Sequence, residues 1–292
     1  MEAAKPWPGR LLGWLDERFP PAVYTVLVLL FHGSAVTVAS TLGGGGRLAP
    51  AAAVVVWLFF LHLRIFDEHK DHAQDAVAYP DRLLSRGVVT LPELARLGAA
   101  AIAAQVLLSA LLGLPALLAW GAAFLFSVAM RYEFGLGAWL KDHIVAYAVT
   151  HNPVVAGLAL FLHAASGARW EMAFLWYVGV ASFGSLAFEI GRKVRRPEEE
   201  HPGVASYTTE LGQGGARALL VGTYLLTWAC LSGLLYALGL PDPWPPLLGL
   251  LAVLPGAATA LGQQPAKRVE LGASLVLLVS FLLCGTVALG VR

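Results

Sequence analysis

Nine stretches of about 20 mostly apolar residues make up most of this chain. They run over 22–40, 48–66, 95–113, 114–131, 143–165, 171–190, 216–240, 245–263 and 269–290. A helix needs about 20 such residues to cross the hydrocarbon core of a bilayer. Inside that core every backbone polar group must find its partner within the protein, which selects helices for such segments. The expectation is an all-α polytopic membrane protein with nine transmembrane helices. Composition agrees, because only 13% of the 292 residues are charged and 58% are hydrophobic. A soluble domain carries about 25% charged residues. The surface missing that charge faces lipid.

Lysine and arginine set the direction of insertion, since they favour the cytosolic side. With the N-terminus in the cytosol, the cytosolic segments hold 17 of the 20 Lys and Arg residues. Only Arg47, Arg169 and Arg292 fall on the far side. A wrong span count would scramble this alternation. The expected location is therefore an integral, multi-pass protein of the cell inner membrane with a cytosolic N-terminus. Residues 1–21 mix Trp7, Leu11, Leu12, Trp14 and Leu15 with Arg10, Asp16, Glu17 and Arg18. They read as a helix lying in the interface and not as a cleavable signal peptide. Cys230 and Cys284 sit in apolar runs without CxxC spacing and read as buried thiols. A formal net charge of +1 gives no reason to expect nucleic acid as a partner.

The chain is read as one domain over 1–292, with two long cytosolic loops at 66–94 and 190–215. Long loops in compact proteins tend to carry function. The first opens with Arg64-Ile-Phe-Asp67-Glu68-His69-Lys70-Asp71-His72-Ala-Gln-Asp75. If the second span continues as a helix, Arg64, Glu68, Asp71 and Asp75 share one face, with Asp67 at its edge. Like charges at that spacing repel. Their presence suggests a bound cation, and oxygen-only ligands suit Mg2+, which takes one or two carboxylates together with water and phosphate oxygens. His69 and His72 lie among the acids, but no cysteine accompanies them to favour zinc. Arg82 and Arg86 follow, and arginine meets phosphate oxygens in a two-pronged manner.

The stretch 64–90 resembles the first signature of the UbiA superfamily of intramembrane prenyltransferases, N/D-D-x-x-D-x-x-x-D followed by an Arg-Pro-Leu-like segment and Gly. Here it reads Asp67-Glu68-x-x-Asp71-x-x-x-Asp75, then Arg82-Leu83-Leu84-Ser85-Arg86-Gly87, with Leu83 where the usual Pro stands. The resemblance implies a UbiA-like bundle with a cytosolic active site. Mg2+ would be held by Asp67, Glu68, Asp71 and Asp75, with Asp71 and Asp75 central to catalysis. Arg64, Arg82, Arg86 and Lys141 would meet the diphosphate.

The family's second signature is a D-x-x-x-D run before a G-V-x-T-like turn. Gly203-Val204-Ala205-Ser206 matches the turn, but the two acidic positions fall on Arg195 and Glu199. Glu189 is the substitute candidate for a second Mg2+, with Glu199 beside it, and Arg192 and Lys193 would clamp phosphate oxygens. Trp57, Phe60, Phe124, Tyr132 and Tyr147 are aromatic candidates for shielding a carbocation, and equally candidates for plain core. His151 and Asn152, before Pro153, are polar groups within a span that either act in function or satisfy backbone freed by the proline.

The implied activity is Mg2+-dependent transfer of a prenyl group from a prenyl diphosphate to a lipophilic or aromatic acceptor in the membrane. Two alternatives stand beside it. One is a non-catalytic protein of the same fold. The other is a cation-dependent transporter, which would need carboxylates near the bilayer midplane, whereas these cluster at one mouth.

Overall fold

The structure is a computed structural model that describes residues 6–200, 204–262 and 264–291. Gly203 of the second signature, and Lys5 and Arg292 of the charge pattern, lie outside the described residues. Among the described residues there is no strand.

An amphipathic helix α1 (Trp7–Arg18) precedes the spans. The spans then follow as α2 (Pro21–Gly43), α3 (Pro50–Ala78), α4 (Leu91–Leu111) and α5 (Leu114–Arg131). A short helix α6 (Gly137–Lys141) leads into a broken fifth span, α7 (Ile144–His151) and α8 (Pro153–Ser166). The rest are α9 (Phe174–Gly191), α10 (Tyr207–Ala237), α11 (Trp244–Ala260) and α12 (Ala266–Gly290). Eight segments are long and apolar enough to cross a membrane, with α7 and α8 counted together. Helix α11, at 17 residues, sits at the short end of the spanning range. The nine expected spans are all present, and the protein is a multi-pass integral membrane bundle.

Local chemistry explains where the helices begin and break. Thr90 starts α4 with a capping box, its amide donating to Glu93 Oε2 at 2.9 Å. Ser206 caps α10 by accepting from the Thr209 amide at 3.0 Å. Pro153 has no amide hydrogen, so the fifth span breaks there. Asn152 closes the gap, donating to the Ser182 carbonyl at 3.0 Å and accepting from Ser185 Oγ at 2.9 Å. The expected single helix over 143–165 is thus two helices tied by a side chain to α9.

In lipid, helices associate through close packing of small residues and not through hydrophobic expulsion. Gly256 on α11 shows this: a Cβ there would stand 2.5 Å from the Tyr224 ring of α10 and 2.6 Å from Val276 of α12. One large core joins both halves of the bundle, through residues such as Phe31, Phe59, Phe161, Tyr177, Leu231 and Phe281. A second core lies at the α7, α9–α12 end, including Ile144, Ile190, Tyr207 and Tyr224. A third joins α1 to α3, the 79–90 segment and α4, around Trp14, Ile65, Leu83 and Leu94.

Two departures from expectation position the site. Helix α3 runs to Ala78, about three turns beyond the apolar span that ends at residue 66, so the condition for the acids to share a helix is met and the loop expected over 66–94 begins only at Tyr79. Helix α1 does not merely rest in the interface. Arg10 donates to the Val88 carbonyl at 2.6 Å and pairs with Glu93 at 2.7 Å, and Glu17 accepts from the Leu83 amide at 3.1 Å. These bonds hold the 79–90 segment against the mouth of the bundle.

Candidate active site

A cavity of about 730 Å³ opens where α3, α5–α9, α12 and residues 192–195 and 204–205 meet. Its charged lining includes Asp67, Lys70, Asp71 and Asp75 of α3 and, from the end of α9 onward, Glu189, Arg192, Lys193 and Arg195. Its apolar lining comes from Met130, Leu140, Ile144, Ala148, Val154, Val155 and Phe188. The two charged segments that sequence places more than a hundred residues apart therefore face one space. Arg192 lies close enough to Asp67 for the two charges to act on each other across it.

The acidic face of α3 is not the one expected. Asp67, Asp71 and Asp75, spaced by four, lie along the cavity, with Lys70 and Gln74 between them. Glu68 does not line the cavity. It is 2% exposed, and its Oε1 accepts from Arg18 Nε at 2.6 Å and from Arg64 Nη2 at 2.7 Å. This corrects the expectation that Glu68 faces a metal: two guanidinium groups hold its carboxylate behind the wall. A buried charge is costly unless paired in this way.

The other acids divide into engaged and available. Asp75 pairs with Arg82 at 2.5 Å and with Arg18 at 3.4 Å. Arg82 also lies over the Tyr79 ring, 3.7 Å from its centre. Asp67 has only Lys70, at 3.8 Å, and Asp71 makes no ion pair among the described residues. The Asp67 side chain is 49% accessible, open to the cavity it lines. Lys70 is held in place by donating to the Tyr147 hydroxyl at 2.6 Å, and lies 4.0 Å from Glu133.

On the opposite wall, Glu189 lines the cavity with both oxygens occupied, by Arg192 at 2.6 Å and Lys193 at 2.7 Å. Lys193 also sits over the Tyr147 ring, so one tyrosine touches a lysine from each wall. Lys141, at the end of α6, is exposed and lines the same space.

Glu199 and Arg86 do not line the cavity. Glu199 instead caps α12, accepting from the Ala266 amide at 3.1 Å, and pairs with Arg196 at 3.3 Å. The backbone amide of Arg196, its guanidinium and the backbone amide of Ala266 donate to this carboxylate and hold it below the usual range. A sequence count back from a turn cannot register that the intervening 3-10 turn, Pro197–Glu199, swings this residue outward. Arg86 is exposed at the end of the 79–86 turns, and Arg82 alone of that pair reaches the site.

Several lining residues were not singled out in the sequence. Arg18 arrives from α1, fifty residues before its partner Glu68, and no local pattern announces it. Lys70, Gln74, Tyr79 and Glu133 also line the cavity. For Lys70 and Gln74 a signal existed, because they follow Asp67 and Asp71 at helical spacing of three. Of the five aromatic candidates only Tyr147 lines the cavity; Trp57, Phe60 and Phe124 pack against the core, and Tyr132 is 70% exposed. His151 lines the cavity, its ring stacked on Tyr147 at 3.9 Å and its Nδ1 bonded to the Tyr147 carbonyl. Asn152 serves the helix break, as described above.

Solved structures share this arrangement of helices. A UbiA homolog from Aeropyrum pernix K1 superposes with a TM-score of 0.65 at 20% identity, covering 91% of this chain and 97% of that one. The chain has the UbiA fold. A digeranylgeranylglyceryl phosphate synthase gives a TM-score of 0.67 at 14% identity, covering 96% and 99% of the two chains. A UbiA homolog from Archaeoglobus fulgidus, bound to DMAPP and Mg2+, gives 0.62 at 15% identity, covering 95% and 98%. No protein-family sequence model matches the chain, and no curated protein does. The likeness to UbiA homologues is thus one of fold, carried by the whole bundle.

Proposed function

We propose that this protein transfers a prenyl group from a prenyl diphosphate to a lipophilic or aromatic acceptor in the membrane, with Mg2+ as its metal. The observation that carries the reading is a single cavity with available carboxylates on one wall, cations on the other and apolar side chains such as Val154, Val155 and Phe188 in the same lining. That mix of charged and apolar lining suits a molecule with an anionic head and a hydrocarbon tail. The UbiA homolog from Archaeoglobus fulgidus, of the same fold, is bound to DMAPP and Mg2+.

The α3 wall fits magnesium. Asp67 and Asp71 stand one turn apart, and neither is tied to an arginine. Among the described residues no three His, Cys, Asp or Glu side chains converge to enclose an ion. An open pair suits Mg2+, which is usually bound by one or two carboxylates plus substrate phosphate, not by an all-protein cage. When bound, it would offset negative charge on the diphosphate as the allylic carbon–oxygen bond lengthens.

The chain's own residues do the rest. Arg192, Lys193 and Lys141 would hold the phosphate oxygens, and Arg82 would close over them from the mouth, steadied by Asp75 and Tyr79. Such fixed charges act before the bond breaks, so none has to reorganise during the reaction. Arg18 and Arg64, fixed on Glu68, keep the face of α3 in register behind the acids. The ring of Tyr147, oriented by Lys70 and His151, stands beside the cavity where a developing allylic cation would be shielded. Met130, Val154, Val155 and Phe188 would receive the start of the prenyl chain.

The test is to give the purified protein Mg2+, labelled geranyl, farnesyl and geranylgeranyl diphosphates, and a membrane extract as acceptor. Labelled lipophilic product that disappears in Asp71→Asn is the expected result. Ion flux from liposomes without diphosphate dependence would instead make it a transporter. Tight diphosphate binding without turnover on any acceptor would make it a non-catalytic member of the fold.

A further inference from the structure

Resting on the prenyl diphosphate reading, we infer that the cavity takes its diphosphate with one divalent cation, not two, and that Arg195 supplies the counter-charge on the wall opposite. The carboxylates of the second half, Glu270 apart, are either committed to protein partners or lie off the cavity. Glu189 gives one oxygen to Arg192 and the other to Lys193. Glu199 caps α12. Glu200 accepts through Oε1 from Ser206 at 2.7 Å and Thr208 at 2.6 Å, and although its Oε2 has no partner among the described residues, it does not line the cavity; Glu210 accepts from the Ile144 amide at 2.7 Å. Only Glu270 adds a carboxylate from α12, and it is exposed.

Arg195 is built into the wall. Its amide donates to Thr208 at 3.2 Å, and its carbonyl accepts from Gln213 at 2.6 Å. The backbone is thus pinned on both sides, and the residue borders the cavity and also a small neighbouring pocket beside Gln213 and Arg217. Its Nη1 is buried without a hydrogen-bond partner among the described residues. A buried guanidinium donor without a partner is costly, and an anion would satisfy it.

Charge decides the metal count. Among the described residues, eight cationic and six anionic ones line the cavity. Glu68 behind the wall narrows that surplus without removing it. A diphosphate with one divalent cation remains anionic and matches the surplus. With two it becomes cationic and meets a wall of its own sign.

The experiment counts metal directly. Mn2+ is titrated into the purified full-length protein in nanodiscs, with free Mn2+ read by electron paramagnetic resonance, with and without a non-cleavable farnesyl thiodiphosphate. One Mn2+ per chain is expected with the analogue present, lost in Asp71→Asn and retained in Glu189→Gln and Glu270→Gln. Arg195→Ala should weaken analogue binding about tenfold or more while leaving the count at one. Two Mn2+ per chain, one of them lost in Glu189→Gln or Glu270→Gln, would overturn the inference and leave the prenyl diphosphate reading standing. Unchanged analogue affinity in Arg195→Ala would overturn the role of Arg195. Failure of the analogue to bind at all would overturn the function proposed above.

Discussion

Glu68 and Asp71 lie within one turn of α3, and their surroundings send them to different tasks. Glu68 is sealed between Arg18 and Arg64, so Glu68→Gln should lower stability by about 3 kcal/mol, because two guanidinium groups lose their buried counter-charge. Unfolding of the detergent-solubilised protein by denaturant would measure this. Asp71 has no cation bound to it and should show the reverse pattern. Asp71→Asn should leave the unfolding midpoint unchanged or raised, while prenyl transfer falls about a hundredfold or more, because a fixed electrostatic group of the site is lost. Spacing in the sequence placed Glu68, Asp71 and Asp75 on one face. What it lacked was the partner: Arg18 comes from α1, and only the tertiary fold shows that Glu68 points toward that helix and away from the cavity. Glu189 was legible as a lone acid among cations. That both its oxygens are taken by those cations was not, because the choice between ion pair and metal depends on rotamers.

The elements carry a second lesson. The spans were readable because apolar runs of about 20 residues admit few other folds in lipid. Their ends were less so. Polarity suggested that α3 stops at the membrane edge, but Arg64–Glu68 and the packing of Ile65 in the third core carry the helix on to Ala78. The break at Pro153 was visible as a proline, while the Asn152 bonds to Ser182 and Ser185 needed α9 to be in place. Replacing Asn152 with Leu should cost about 1 kcal/mol, the scale of an interhelical hydrogen bond in a membrane. Thermal unfolding of the purified protein would read the loss. Close packing of α10, α11 and α12 makes a separate prediction. Gly256→Ala would force its Cβ against Tyr224 and Val276 and should cost roughly 1–3 kcal/mol, read the same way.

At the scale of the molecule, charge pattern and fold agree about ends. The 44–49 and 167–173 segments meet, Arg169 donating to the Gly43 carbonyl at 2.9 Å and the Arg47 amide to Ser166 at 3.0 Å. The cavity lies among the segments that hold the other basic residues. If that basic face is cytosolic, a cysteine at Ser85 in a background lacking Cys230 and Cys284 will react only with reagent supplied from the cytosol. A cysteine at Gly45 will react only from the far side. Reversed labelling would invert the orientation and leave the fold untouched. The architecture was thus largely legible from apolar runs and basic loops, whereas the cavity was not, because it arises only when α3 and the end of α9 are brought face to face. The most direct test of that meeting is equilibrium binding of farnesyl thiodiphosphate to the intact protein, with and without Mg2+, in wild type, Asp67→Asn and Lys193→Ala. Binding that needs Mg2+ and is weakened from either wall is the predicted result. Binding indifferent to Mg2+ and to both substitutions would contradict it.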